Sequence, residues 1–386
     1  MGTGRQWWVI LALWLAGLGA GAQFAKVSVI FDTLGLSYPE AGAALGFTVS
    51  LLSFLGILLG LFAGLIAARI GLKRLLIAGL LLGALVSAFQ VTLPPLPVLL
   101  ASRVVEGLSH LIIVVAAPTL MGSLASGRQK PVAMTLWSTF FGVAFALTAL
   151  LGRPLAEAYG PGALFAGHAL YMAAMAALLA VSLPTIARPA DAPRLTLAAI
   201  ARRHVEAYRS PAMAAPALAW LFYTLSWVSI LTVLPGRMEN PGFAAAAMPL
   251  AGIAVSMTLG LALLRRFPPV PVVMAGFAVA AVCALLLPLT DSPWVPIALV
   301  GGLGLVQGAN FSAIPALNPE PGPQAIANGA VAQMGNLGNT LGTPILLAAI
   351  GVFGTAGLVG FAVVAFGGGI AVHGALARAR RRQAAA

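Results

Sequence analysis

Acidic residues are almost missing from this chain: nine in 386 positions, against 21 Lys and Arg. Charged residues of both signs make up 8%, where a soluble domain carries about 25%. With 60% apolar residues and a mean hydropathy of +1.00, the chain reads as an all-α polytopic membrane protein. The one cysteine, Cys283, lies in an apolar run. That excludes an intrachain disulfide and a cysteine-based metal site. The four histidines form no H-x-x-x-H or H-E-x-x-H pair, so no metal site is signalled. No glycine-rich nucleotide loop is present, and no cofactor is expected. A membrane-embedded enzyme would need metal ligands, a nucleophile–base pair or clustered acids. The acids here are dispersed, so no enzyme is expected.

What is present is a series of apolar runs. Twelve reach spanning length, near 7–31, 42–67, 74–93, 97–122, 132–156, 162–184, 213–235, 243–264, 270–289, 294–316, 325–349 and 354–376. Lipid cannot satisfy an open backbone, so each is expected to be a helix. Arg5 followed by an apolar run to Ala20-Gly21-Ala22 has the outline of a signal peptide. The run stays apolar to Phe31, which favours a first span instead. Of the 21 basic residues, all but Lys26, Arg103, Arg153 and Arg237 fall on one side if the N-terminus is inside. The positive-inside rule then puts both termini in the cytoplasm, in a cell inner membrane. The net charge of +12 is on this reading a topology signal, with no nucleic acid implied. The loop 317–324, which should be inside, carries no base.

The connection after the sixth span divides the chain. We expect a six-helix bundle over 1–184, a cytoplasmic linker over 185–212 and a second six-helix bundle over 213–386. Within the linker, Leu195 to Arg209 reads as an amphipathic helix resting on the membrane interface. The halves echo each other weakly, as in Gly152-Arg153-Pro154 against Gly342-Thr343-Pro344, and Glu106-Gly107 against Gln307-Gly308. A duplicated unit of this kind places a binding site between the repeats.

One stretch stands out. Ser102 to His110 reads S-R-V-V-E-G-L-S-H inside an otherwise hydrocarbon run. Arg103, Glu106 and His110 share one narrow helix face. Ionisable groups in a bilayer cost about 2.5–3.5 kcal/mol each on insertion scales and seldom face lipid. Arg103 and Glu106, one turn apart, are expected to hold each other charged. Arg103→Ala would then leave Glu106 unpaired. His110 is the residue best able to change charge near neutral pH, though a satisfied, neutral packing histidine is the commoner case.

The chain resembles the major facilitator superfamily over its full length. Gly64-Leu65-Ile66-Ala67-Ala68-Arg69-Ile70-Gly71-Leu72-Lys73-Arg74 is similar to the family's G-x-L-a-D-R-x-G-R-K signature. Gly64, Arg69, Gly71, Lys73 and Arg74 follow it as a cytoplasmic gate motif, while Ala68 stands in the acidic place. Arg103-Val104-Val105-Glu106-Gly107 is similar to the family's R-x-x-x-G. The run Met134-Thr135-Leu136-Trp137-Ser138 looks most like the cyanate-permease-like branch. The resemblance implies two bundles in a pseudo-two-fold arrangement, working by alternating access. It implies that the first, fourth, seventh and tenth helices line a cavity, and that the third, sixth, ninth and twelfth face lipid. The third and ninth look nearly featureless, in keeping with that.

The substrate contacts expected on this basis are Gln23, Lys26, Arg103, Glu106, His110, Tyr223, Trp227, Gln307, Asn310, Asn336 and Asn339. Lys26 reads equally well as a residue snorkelling to the headgroups. The asparagines of the eleventh span read equally well as interhelical hydrogen bonds, with Gly335, Gly338 and Gly342 allowing close approach. Lys26, Arg103 and Glu106 leave one excess positive charge, and Arg153 would make it two. An unpaired buried cation is expensive, so a small anion is the expected substrate. Glu106 and His110 are the expected proton-coupling residues. The alternative is a proton-driven exporter of amphiphilic or drug-like compounds. Partners are then a small molecule, the lipid bilayer and a proton gradient, for a monomer.

Overall fold

The computed structural model describes residues 3–59, 71–125, 129–184 and 197–385, and helices are the only regular structure among them. Eleven of these helices are long and apolar enough to cross a membrane. The first ten are Gly4–Ser28, Gly42–Leu59, Leu72–Gln90, Leu96–Leu124, Phe140–Tyr159, Pro161–Ser182, Pro211–Val233, Pro241–Leu264, Pro269–Leu289 and Trp294–Leu317. The eleventh, Ile326–Gln383, has 58 residues, where a bilayer needs about 20. Gly354, at φ +58°, breaks it in a conformation that only glycine takes readily. The eleventh and twelfth spans therefore meet at one glycine, and the described residues hold twelve spans.

Prolines start several of these helices. The fourth, sixth, seventh, eighth and ninth each carry one in the first turn, where the missing N–H has no partner to lose. Pro216, inside the seventh, frees the carbonyl of Ala212 from its usual intrahelical donor. Asn318 Nδ2 donates to that oxygen at 3.2 Å.

The chain divides into two compact units, Met1–Pro193 and Arg194–Ala386. The division falls inside the segment read as a linker. In the first unit the first span is the hub. Its run Ala16-Gly17-Leu18-Gly19-Ala20-Gly21 lets neighbours reach its backbone. A side chain at Gly17, Gly19 or Gly21 would strike Trp137, Met172 or Ala144. Span carbonyls left open this way take second hydrogen bonds from side chains, such as Tyr171 Oη to the Leu15 oxygen at 2.7 Å. Gly107, the glycine of the R-x-x-x-G stretch, lies against the Leu52 carbonyl of the second span.

The third span is two-faced rather than featureless. Leu81, Leu85 and Phe89 are exposed, while Gly79, Gly83, Ser87 and Gln90 are buried. The sixth span likewise buries His168. Both helices keep an exposed apolar face, with Leu81, Leu85 and Phe89 on the third and Leu170 and Val181 on the sixth, and bury polar residues on the other. Period-3.6 patterning was masked because the buried face is made of glycine, serine and glutamine between apolar residues.

In the second unit the seventh and eleventh spans pack backbone to backbone. Side chains at Gly338 and Gly342 would meet the Leu221 and Leu225 carbonyls, which is the close approach the glycine spacing suggested. In the tenth span it is Gly304, against Gly252, that makes the equivalent contact. Gly304 lies one turn before Gly308, the glycine that echoes Gly107 in the sequence. The helix Leu197–Arg209 packs on the seventh and eleventh spans. Tyr208 Oη donates to Gln333 Oε1 at 2.9 Å, and burial pushes its hydroxyl up to about 12, so it stays a donor. Gln333 Nε2 lies 3.0 Å from His204 Nε2.

Candidate functional site

Two cations and one carboxylate share a closed cluster in the first unit. Lys26, Arg103 and Glu106 are each 0% exposed. Lys26 Nζ lies 2.6 Å from Glu106 Oε1, and Arg103 Nη1 lies 2.5 Å from Glu106 Oε2. Lys26 therefore does not snorkel: it points inward from near the end of the first span. Its other two N–H groups go to Ser87 Oγ at 2.7 Å and Gln90 Oε1 at 2.8 Å. The Phe165 ring closes the remaining side, 5.3 Å from Nζ.

Arg103 is held by three helices. Its Nε donates to the Thr48 carbonyl at 2.5 Å and its Nη2 to the Gln23 carbonyl at 2.7 Å. The Gly107–Leu52 approach one turn further on brings the second span near enough for the first of these bonds. Gln90 Nε2 bridges Glu106 Oε2 at 2.9 Å and Ser102 Oγ at 3.0 Å. Gln23 Nε2 donates to Ser109 Oγ at 2.9 Å, in space left by Gly83. Every N–H of Lys26 thus has an acceptor, and the carboxylate accepts from three side chains, the condition for keeping charges in an apolar bundle.

His110 lies one turn beyond Glu106. A carbonyl only accepts, so its Nδ1, 3.1 Å from the Ala20 oxygen, carries the proton. The ring stands edge-on to Phe24 at 5.1 Å. His168 does the same with its other nitrogen: Nε2 is 3.0 Å from the Gly19 oxygen, and Nδ1 is 2.7 Å from Ser87 Oγ. Ser87, Gln90 and His168 were missed in the sequence. Their signal is a polar residue inside a span, on helices that the family resemblance turns toward lipid.

Arg153 is not a second unpaired cation. Its guanidinium meets Asp32 at 2.7 Å and Glu157 at 2.7 Å. The excess within the buried cluster is one positive charge, from Lys26, Arg103 and Glu106 alone.

The remaining expected residues belong to the second unit or lie outside the cluster. Tyr223 Oη reaches Gln307 Oε1 at 3.3 Å, and its ring stacks on Trp220 at 4.3 Å and on Trp227 at 6.4 Å. Asn310 Nδ2 donates to the Pro216 carbonyl at 3.1 Å. Asn336 Nδ2 bonds within its own helix, to Ala332. Asn339 Oδ1 is buried with no partner among the described residues. Of the gate motif, Gly64 and Arg69 lie outside the described residues. Gly71 caps the third helix at φ +95°, which explains a glycine there. Lys73 Nζ donates to the Leu183 carbonyl at 2.5 Å, closing the C-terminus of the sixth helix. Arg74 is exposed. Among the described residues no group of three or more potential ligands could hold a metal ion.

The chain is similar in fold to solved structures. One is described as a bacterial homolog to the human lysosomal transporter Spinster, inward-facing and unoccupied. It has a TM-score of 0.73 at 14% identity, with 98% of each chain covered. The same homolog, inward-facing and occupied, gives 0.78 at 14% identity, again with 98% of each chain covered. No curated protein matches the sequence. The family model for the Major Facilitator Superfamily matches residues 9–343. That covers most of the twelve helices and the whole buried cluster, and the chain belongs to the Major Facilitator Superfamily, a family of membrane transporters.

Proposed function

We propose that the protein is a secondary transporter that moves a small anion by alternating access, coupled to protons. The observation that carries this reading is the composition of the buried cluster: two cations around a single carboxylate. As described, Glu106 neutralises one charge and engages both cations. A proton on Glu106 would remove their counter-ion and leave Lys26 and Arg103 in an apolar bundle. A bound anion relieves that cost. Proton and anion then favour each other's binding, by linkage, and travel in the same direction. Glu106 is the coupling residue on this reading. His110 serves beside it, and Gln23 completes the contact surface.

A thermal-shift screen of the purified protein against acetate, phosphate, cyanate and longer carboxylates tests this, since a ligand stabilises the state it binds. An anion that stabilises should enter proteoliposomes on an inward proton gradient, and a protonophore should stop it. Stabilisation by amphiphilic cations alone would sink the reading. It would favour export of amphiphilic compounds, for which the Trp220–Tyr223–Trp227 stack with Gln307 at its edge offers an apolar wall with polar tips. Tyr223, Trp227, Gln307, Asn310, Asn336 and Asn339 are the second unit's contacts in either case.

A further inference from the structure

We propose that His168 is a positioning residue for the Lys26–Glu106 pair and acts through the Ser87 hydroxyl. The inference rests on the transport reading only for its purpose; its geometry stands apart. The Gly19 carbonyl can only accept, so the imidazole nitrogen 3.0 Å away, Nε2, carries the proton. In the neutral ring Nδ1 is then a bare acceptor. Its neighbour at 2.7 Å is Ser87 Oγ, so the one hydroxyl proton of Ser87 points at His168. The lone pairs of Oγ are left for Lys26 Nζ, 2.7 Å away on the other side.

The hydroxyl has one other acceptor in reach. Glu106 Oε1 lies 3.4 Å from Ser87 Oγ, within the outer limit of a hydrogen bond and no better. While His168 accepts, that bond is not made, and Glu106 Oε1 answers to Lys26 alone. With Nδ1 protonated, the imidazole would donate to Ser87 and the serine proton would turn to Glu106. The state of a histidine on the sixth span thus decides how many donors a carboxylate on the fourth receives. The charged groups acting on His168 are Lys26 from the first span and Glu106 and Arg103 from the fourth. The third span offers Ser87. The fifth, which also adjoins the sixth, directs Arg153 to Glu157 and to Asp32.

Nitrogen-15 NMR of the full chain, histidine-labelled and in lipid nanodiscs, reads the tautomer directly. The His168 signals are those lost in His168→Asn or, should that variant not fold, those moved by Ser87→Ala. The expected spectrum at neutral pH has Nε2 protonated and Nδ1 bare with an accepted hydrogen bond. A protonated Nδ1 with bare Nε2 would overturn the proposal. A second arm measures Tm against pH. His168→Leu should shift the acid limb of that profile, and adding Ser87→Ala should cancel the shift. His168→Asn, which keeps an acceptor near the place of Nδ1, should restore the wild-type profile. A uniform loss of Tm at every pH, unaltered by Ser87→Ala, would mean that His168 only fills space. If these results hold while no anion is taken up into proteoliposomes, the transport reading fails and the positioning role stands.

Discussion

Lys26 and Glu106 meet at 2.6 Å across the first and fourth spans, with both side chains closed to solvent. Glu106 is the common partner: Lys26 takes one of its oxygens and Arg103 the other. Reading Arg103 and Glu106 as an isolated pair, as their spacing on one helix invites, misses that the carboxylate is shared.

The sharing changes what each substitution should do. Arg103→Met leaves Lys26 and Glu106 as a neutral pair and forfeits the bonds to the Thr48 and Gln23 carbonyls. Glu106→Gln leaves two cations without a counter-ion. Breaking a buried pair by removing one partner costs about 3–5 kcal/mol, so Glu106→Gln should lower Tm more than Arg103→Met. The double change Arg103→Ala with Glu106→Ala should not recover stability, because it strands Lys26. Thermal unfolding followed by tryptophan fluorescence in detergent measures all three. Full recovery in the double variant would mean that Lys26 does not depend on Glu106.

Gly107→Ala sets a methyl group against the Leu52 carbonyl. Overpacking of this kind costs about 1–3 kcal/mol, and it should also pull the Thr48 carbonyl away from Arg103. Gly360→Ala, with nothing near the added carbon, is the control and should leave Tm unchanged. Equal effects of the two substitutions would remove the packing argument for the R-x-x-x-G glycine.

Arg153 calls for the opposite expectation. Asp32 and Glu157, its partners, are 39% and 52% exposed at the side chain, and exposed ion pairs contribute about 0–1 kcal/mol. Asp32→Asn should change Tm little and leave anion uptake intact. Loss of uptake in that variant would assign this pair a part in transport.

Reporter fusions after Arg194 and at the C-terminus test the orientation read from Lys and Arg. Both should report cytoplasm. A periplasmic signal from either would reverse the topology.

The twelve apolar runs were legible because lipid imposes one pattern on every span. Arg103 and Glu106 were legible because an ion inside hydrocarbon has few explanations. What the sequence did not yield was partnership. Nothing in the order of residues says that Lys26, 80 positions from Glu106, ends on the carboxylate that Arg103 also holds, or that Ser87 faces inward while Phe89 faces out. Arg153 illustrates the reverse error. Its neutralising Asp32 comes from the short helix Phe31–Ser37, between the first and second spans, outside every segment counted as membrane.

Residues 148–152, just before Arg153, form a π turn. A π turn closes its hydrogen bonds five residues apart where an α turn closes them four apart, so it stores one residue that a regular helix would not hold. Deleting a residue earlier in the fifth span would rotate everything beyond it by about 100° and swing Arg153 off Asp32. Deleting Leu150 should instead let the turn relax to α-helix, with the flanking residues kept in phase. The fifth span thus carries a built-in tolerance for a one-residue deletion, at the one place where the reading frame of the helix face is already out of step.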